Sequence, residues 1–225
     1  MKIRILIPFF ILNFLIVVYA GGQNQAYDVS ELNKIVENAY KTFQPTGLSV
    51  AIVKNDTAII QKSFGKRSSK TGKPVTNESL FNIASCTKPF TSTAMGLLVQ
   101  QGKINWDDKV TDYIPELKLK DPYITNKLTI ADILSHRSGL STFTGDLLWY
   151  NTDYSNEEII QRMEYLPIKN DFRAEFGYQN NMFMVAGEII ERVSGMTWSE
   201  FISKNIFDPL KMHSTKPSND ELNKD

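Results

Sequence analysis

Hydrophobic positions recur along this chain with two different periods. Over Val29–Phe43, Leu32, Ile35, Val36 and Ala39 fall on one face of a 3.6-residue repeat, which predicts an amphipathic helix with Ser30 as its cap. The period then shortens. Residues 47–53 and 57–64 are β-rich runs on either side of Lys54-Asn55-Asp56 and read as a hairpin. From Ser79 onward helix and loop signals dominate. Phe90, Ala94, Met95, Leu97, Leu98 and Val99 lie at helical spacing, and Gly102 marks the stop. Residues 104–117, with Trp106, Asp107, Asp108 and Pro115, read as a connecting arm. Short helices are predicted over 129–134, 155–165 and 182–193, the last stopping at Gly195, and Thr197 caps a final one through Ile202. Internal repeats and low-complexity segments are absent from the sequence.

Only two strands emerge from this pattern, and a lone hairpin is marginal in water, so the sheet reads as incomplete. Its free edge needs a partner or a cover. The chain closes on a polar tail, 216–225, with no further strand. At the other end, Lys2 and Arg4 precede an apolar run that finishes in Val18-Tyr19-Ala20, the pattern of a secretory signal over residues 1–20. Pro8 and Asn13 interrupt the run, which argues against a permanent membrane span. A short linker, 21–28, would follow, then one domain over 29–215, in a secreted or periplasmic protein. The 25 basic residues, less Lys2 and Arg4, leave 23 against 25 acidic ones, and that balance suggests neither nucleic acid nor anionic membrane as a partner. Cys86 is the only cysteine, so no internal disulfide forms. It reads as a small buried packing residue in preference to a reactive thiol.

The chemistry enters at Ser85-Cys86-Thr87-Lys88. Positions i and i+3 share a helix face, so the Lys88 amine can reach the Ser85 oxygen and, unprotonated, take its proton. A serine needs such a base to act as a nucleophile near neutral pH. Pro89 is tolerated because it falls in the first turn. A second Ser-x-x-Lys, Ser63 to Lys66, ends a strand-like run, where i does not stack over i+3, and reads as structural. Tyr178-Gln179-Asn180 leaves two readings open. The tyrosine oxygen could shuttle a proton and Asn180 hydrogen-bond a substrate amide, or the segment is a helix entry with Asn180 as cap. Spacing alone favours the second. The similar Tyr154-Ser155-Asn156 is read as structural, because Ser155 and Glu158 form a capping box. Lys70-Thr71-Gly72 falls in a turn ahead of the serine and is set aside. His136 and His213, the only histidines, lack partners at metal-ligand spacing; His136 reads at most as a loop-fixing hydrogen-bond donor.

Taken together, these segments resemble the serine β-lactamase-related family: class C β-lactamases, D-alanyl-D-alanine carboxypeptidases of that type, and related esterases. The nucleophile segment Phe81 to Lys88, the arm Gln101 to Val110 with Tyr113-Ile114-Pro115-Glu116, Leu134 to Leu140, Tyr178-Gln179-Asn180, and Ile206 to Met212 carry the likeness. It implies an α+β fold of the β-lactamase/transpeptidase type: a helical lobe, with the N-terminal helix and hairpin belonging to an antiparallel sheet whose C-terminal strands are missing here. It also implies that Ser85 is acylated, Lys88 is its base, Tyr178 relays the proton and later activates water, and Asn180 binds the substrate amide. No metal or organic cofactor is implied. The substrate would be a small molecule or peptide with an amide or ester: a β-lactam, a D-Ala-D-Ala peptide or a small ester. Gln179 stands where the family has serine, and Lys211 where it has glycine. The third motif and the second oxyanion N–H belong to the strand expected after Thr215, and losing one such donor typically costs about 2.7–4 kcal/mol. The chain therefore reads as the N-terminal part of an enzyme, with activity in doubt. The alternatives are an inactive truncated remnant, a pseudoenzyme that binds cell-wall peptide or a protein partner, or a chain completed by a separate C-terminal polypeptide.

Overall fold

A computed structural model describes residues 28–219, so the leader expected over 1–20 lies outside the described residues. The described residues form two compact units, divided between Ser79 and Leu80. Helix α1, Val29–Phe43, opens the first. Its cap is Asp28, whose carboxylate accepts from the Ser30 N–H at 2.8 Å, so the cap lies two residues before the serine that the sequence suggested. An ionised carboxylate is the stronger acceptor for the unpaired amides of a first turn. Strands β1, Gly47–Lys54, and β2, Thr57–Gly65, pair antiparallel, with an irregularity between Ile52 and Val53. Asn55 and Asp56 both take left-handed backbone, φ 47° and 58°, as a two-residue hairpin turn requires. Tyr40 of α1 stacks on Phe64 of β2 at 5.0 Å between centroids, and Lys62 pairs with Glu37 at 2.9 Å. The second Ser-x-x-Lys and the Lys70-Thr71-Gly72 turn are structural, as expected: Ser63 donates to Asn77 Oδ1 at 2.8 Å, and Lys70 and Gly72 sit in a turn closed on Ser68.

Among the described residues, the regular elements of the second unit are helices, with isolated β-bridges between Lys109 and Thr129 and between Leu140 and Ile168. After a 3-10 turn, Ala84–Thr87, come α2 (Lys88–Gln100), α3 (Val110–Tyr113), α4 (Pro122–Lys127), α5 (Ile130–Leu134), α6 (Asn156–Arg162), α7 (Asn181–Ser194) and α8 (Trp198–Ile202), followed by a π-helical turn, Ser203–Phe207. Helix α7 is the axis of this unit and packs against α2, α3, α5, α6 and α8. Its sequence explains why. Met182, Val185, Ala186, Ile189 and Ile190 recur at helical spacing, and all five are completely buried. They meet Ala94, Met95 and Leu98 of α2 in the same core. Each large aliphatic side chain so buried contributes about 1.5–3 kcal/mol, so this face holds α2 firmly beside α7. The arm is tied to α7 by Arg192, which pairs with Glu116 and Glu188 and donates to the Tyr113 carbonyl.

Three local details depart from the sequence reading. Helix α4 was not foreseen; Asp121 caps it and Pro122 opens it. Cys86 is exposed, not buried in packing, in a 3-10 turn none of whose residues is buried. Ser85 precedes α2 instead of opening it. Pro89 has no N–H to give to the Ser85 carbonyl in an α-helical bond, so Lys88 N–H takes that acceptor in the tighter 3-10 pattern.

Candidate active site

The 3-10 turn is what aligns the pair. Its three residues per turn eclipse i over i+3, and Lys88 Nζ lies 3.3 Å from Ser85 Oγ. Tyr178 arrives from the entry to α7, and its Oη donates to the same Ser85 Oγ at 2.6 Å. Asn180, two residues on, presents Oδ1 to Lys88 Nζ at 2.7 Å. The four residues singled out in the sequence, Ser85, Lys88, Tyr178 and Asn180, therefore meet at one place, although 93 positions separate the serine from the tyrosine. The Asn180 side chain makes no capping bond, so of the two readings of that segment the helix-cap role for Asn180 is not the one observed.

The segment carrying Tyr178 is pinned from three sides. A Cβ at Gly177 would overlap the Leu140 carbonyl, so only glycine permits this approach. The Gly177 N–H donates to the His136 carbonyl at 2.8 Å, and the Gln179 N–H to His136 Nδ1 at 3.0 Å. His136 is thus a loop-fixing acceptor, the reverse of the donor role that the sequence suggested, and its ring stacks on Tyr178 at 4.7 Å. Loop 141–149 meets the third side residue by residue. Phe143 N–H donates to the Tyr178 carbonyl at 2.9 Å, buried Gln179 donates to the Ser141 carbonyl, and buried Asn181 donates to the Thr144 carbonyl at 3.3 Å. Asn180 Nδ2 donates to Asp146 Oδ2 at 2.9 Å. Gln179 is therefore a structural strut.

Charge at the site is arranged around the phenol. Burial pushes the Tyr178 hydroxyl up, but hydrogen bonding to Lys88 and Ser85, with the Lys88 charge, outweighs it and leaves the group below its usual 10.0. The phenolate is accordingly easier to form here than in water. Burial first, and then the Lys88 charge, hold His136 below its usual 6.5. Beside the four residues opens a cavity of about 600 Å³, lined by Ser85, Lys88 and Asn180 and by Trp149, Tyr154 and Met184. Tyr154 belongs to the segment set aside as structural. Ser155 does form its capping box with Glu158, yet the tyrosine before it lines the cavity.

A buried carboxylate steadies the loop behind this arrangement. Asp132 is 1% exposed and is gripped by Arg173, with a 2.7 Å bond from Nη2, and by Thr129 at 2.8 Å. Burial drives its carboxyl up, but these bonds more than offset the effect and hold it below 3.8. No local pattern points to this tie, since Arg173 lies 41 positions from Asp132 in an irregular stretch.

Residues 32–223 match the family model described as Beta-lactamase. The chain belongs to this family. Among curated relatives of this β-lactamase-family chain, penicillin-binding protein 4* of Bacillus subtilis is 31% identical over 168 residues, covering 71% of the chain and 35% of the relative. The octameric penicillin-binding protein homologue from Pyrococcus abyssi superposes with a TM-score of 0.73 at 28% identity, covering 88% of the chain and 46% of the homologue. The D-amino acid amidase from Ochrobactrum anthropi gives 0.68 at 26% identity, covering 82% and 51%. The fold is of the β-lactamase/transpeptidase type, with helices and a two-stranded antiparallel sheet among the described residues. The chain spans about a third of the length of the curated relative and about half of each solved structure. No helix among the described residues is long and apolar enough to cross a membrane.

Proposed function

We propose that this chain carries the acyl-transfer half of a serine hydrolase and that Ser85 forms an acyl ester with amide or ester substrates. One observation carries the reading: Ser85 Oγ lies within hydrogen-bonding reach of both Tyr178 Oη and Lys88 Nζ. Ser85 Oγ attacks the substrate carbonyl carbon as neutral Lys88 takes the hydroxyl proton. Tyr178, which reaches the same Oγ, passes a proton to the departing nitrogen or oxygen as the carbonyl–heteroatom bond breaks. In the second step its phenolate takes a proton from water, whose oxygen attacks the acyl carbon, and Lys88 returns its proton to Ser85 Oγ as the acyl ester breaks, so that all three groups are restored. Asn180 holds Lys88 through Oδ1, and the second hydrogen on Nδ2, not engaged by Asp146, can donate to a substrate carbonyl.

The family supports a small molecule or peptide as substrate, with β-lactams, D-Ala-D-Ala peptides and simple esters sharing this acyl-serine route, and a cavity of about 600 Å³ beside Ser85 accommodates such groups. Export through the N-terminal leader belongs to the same proposal. The roles separate in rapid mixing with an activated ester. Lys88→Ala and Tyr178→Phe should each slow acylation about 10²-fold or more. A wild-type rate in either variant would remove that residue from the proton path.

A further inference from the structure

Asp146 is the only charged residue in loop 141–149, and its carboxylate faces the amide that holds the proposed base. The position is built. Gly145 turns the loop with φ 88°, a left-handed backbone that side chains rarely adopt, and a Cβ there would also crowd the ends of the Asn181 and Leu166 side chains at 2.6 Å. The next residue then delivers Oδ2 to Asn180 Nδ2 at 2.9 Å, while Oδ1 takes a 3.4 Å bond from Trp149 Nε1 at the rim of the cavity.

A carboxamide can present either end to a neighbour, because its oxygen and nitrogen are nearly equal in size. The choice matters here. With Oδ1 toward Lys88, a neutral lysine donates to Asn180 and keeps its lone pair for the Ser85 proton. Turned over, Nδ2–H would donate into that lone pair and block the base. Asp146 is acceptor-only when ionised, so it attracts Nδ2 and repels Oδ1. We propose that Asp146 is a positioning residue that locks the Asn180 amide with Oδ1 toward Lys88 and so keeps the Lys88 lone pair available to Ser85. This rests on the acyl-serine reading above. The same carboxylate opposes formation of the Tyr178 phenolate through space, alongside Lys88, which favours it, and with His136 neutral against the ring.

Asp146→Asn tests this in the full chain, because it keeps the shape but supplies an amide that can accept or donate. Two readouts are needed. The first is activity-free: side-chain amide signals of Asn180 and the titration of a 13Cζ-labelled Tyr178. In the variant the Asn180 side-chain amide signals should move away from their parent positions, because the amide loses its fixed orientation, and the Tyr178 titration should shift to lower pH. The second is Ser85 acylation by an activated ester, which should slow about tenfold or more with an unchanged thermal midpoint. Asn180 signals and a Tyr178 titration that coincide in the two proteins would overturn the proposal, as would acylation within about twofold of the parent across the pH range. A parent that takes no acyl group at Ser85 would overturn the acyl-serine reading instead, while the spectroscopic arm still decides whether Asp146 sets the amide.

Discussion

The Gln179 N–H donates to His136 Nδ1, a bond that exists only while that nitrogen lacks a proton. The histidine is held below 6.5 in the fold, so its contribution to stability is present above 6.5 and is lost as pH falls through the depressed folded value. His136→Asn keeps an acceptor, tolerates the left-handed backbone at φ 60°, and does not titrate. Thermal midpoints of the two proteins should therefore converge as the pH is lowered through that window, and a gap independent of pH would contradict the assignment. Asp132 gives a second residue-level expectation. Arg173→Met leaves a buried carboxylate with Thr129 and the distant Arg137, 3.6 Å away. Breaking a buried pair costs about 3–5 kcal/mol. The guanidinium is 45% exposed, and solvent screening brings the expected loss below that range, to about 2–3 kcal/mol by urea unfolding. Arg137→Met should cost much less. At this scale the sequence was legible wherever chemistry was local: Ser85 with Lys88, and Ser155 with Glu158. It was silent on Asp146 and Arg173, whose partners lie 34 and 41 positions away and follow no periodic rule.

Elements long enough to show a period were readable with their ends. Helix α1 matches its expected range, α7 stops at Gly195, and the Thr197 capping box with Glu200 opens α8 as read. Shorter pieces were readable only where a cap announced them, as at α8, because fewer than two turns carry no periodicity. Helix α4, the 3-10 turn holding Ser85 and the π-helical turn after α8 went unread for that reason. The junction before α7 shows why such pieces matter. Tyr178 reaches Ser85 only because Gly177 passes hard against the Leu140 carbonyl. Gly177→Ala must push the two backbones apart. Its expected signature is a loss of acylation of about 10²-fold, with the unit still folded by circular dichroism. Unchanged acylation would mean that the close approach is not what places the tyrosine.

At the scale of the whole molecule, membership of the β-lactamase family was visible from ordered motifs spread over most of the chain, and residues 32–223 match the family model. Composition and hydropathy alone would not have reached it, since two strands and a set of short helices fit many folds. What identified it was chemistry at fixed order: a Ser-x-x-Lys turn, an arm, a His loop and a Tyr-x-Asn helix entry. The structure brings the Ser-x-x-Lys turn and the helix entry together at Ser85, with the His loop stacked behind the tyrosine. The chain spans only part of the length of its relatives, so the deciding question is whether this arrangement is chemically competent in the 225-residue chain itself. The direct measurement is the intact mass of the purified chain after incubation with a penicillin and with an activated ester, beside Ser85→Ala. A mass increase equal to the acyl group, mapped to Ser85 and absent from the variant, is the expected result. A chain that folds yet gains no mass from either reagent, or gains it equally in Ser85→Ala, would contradict the account.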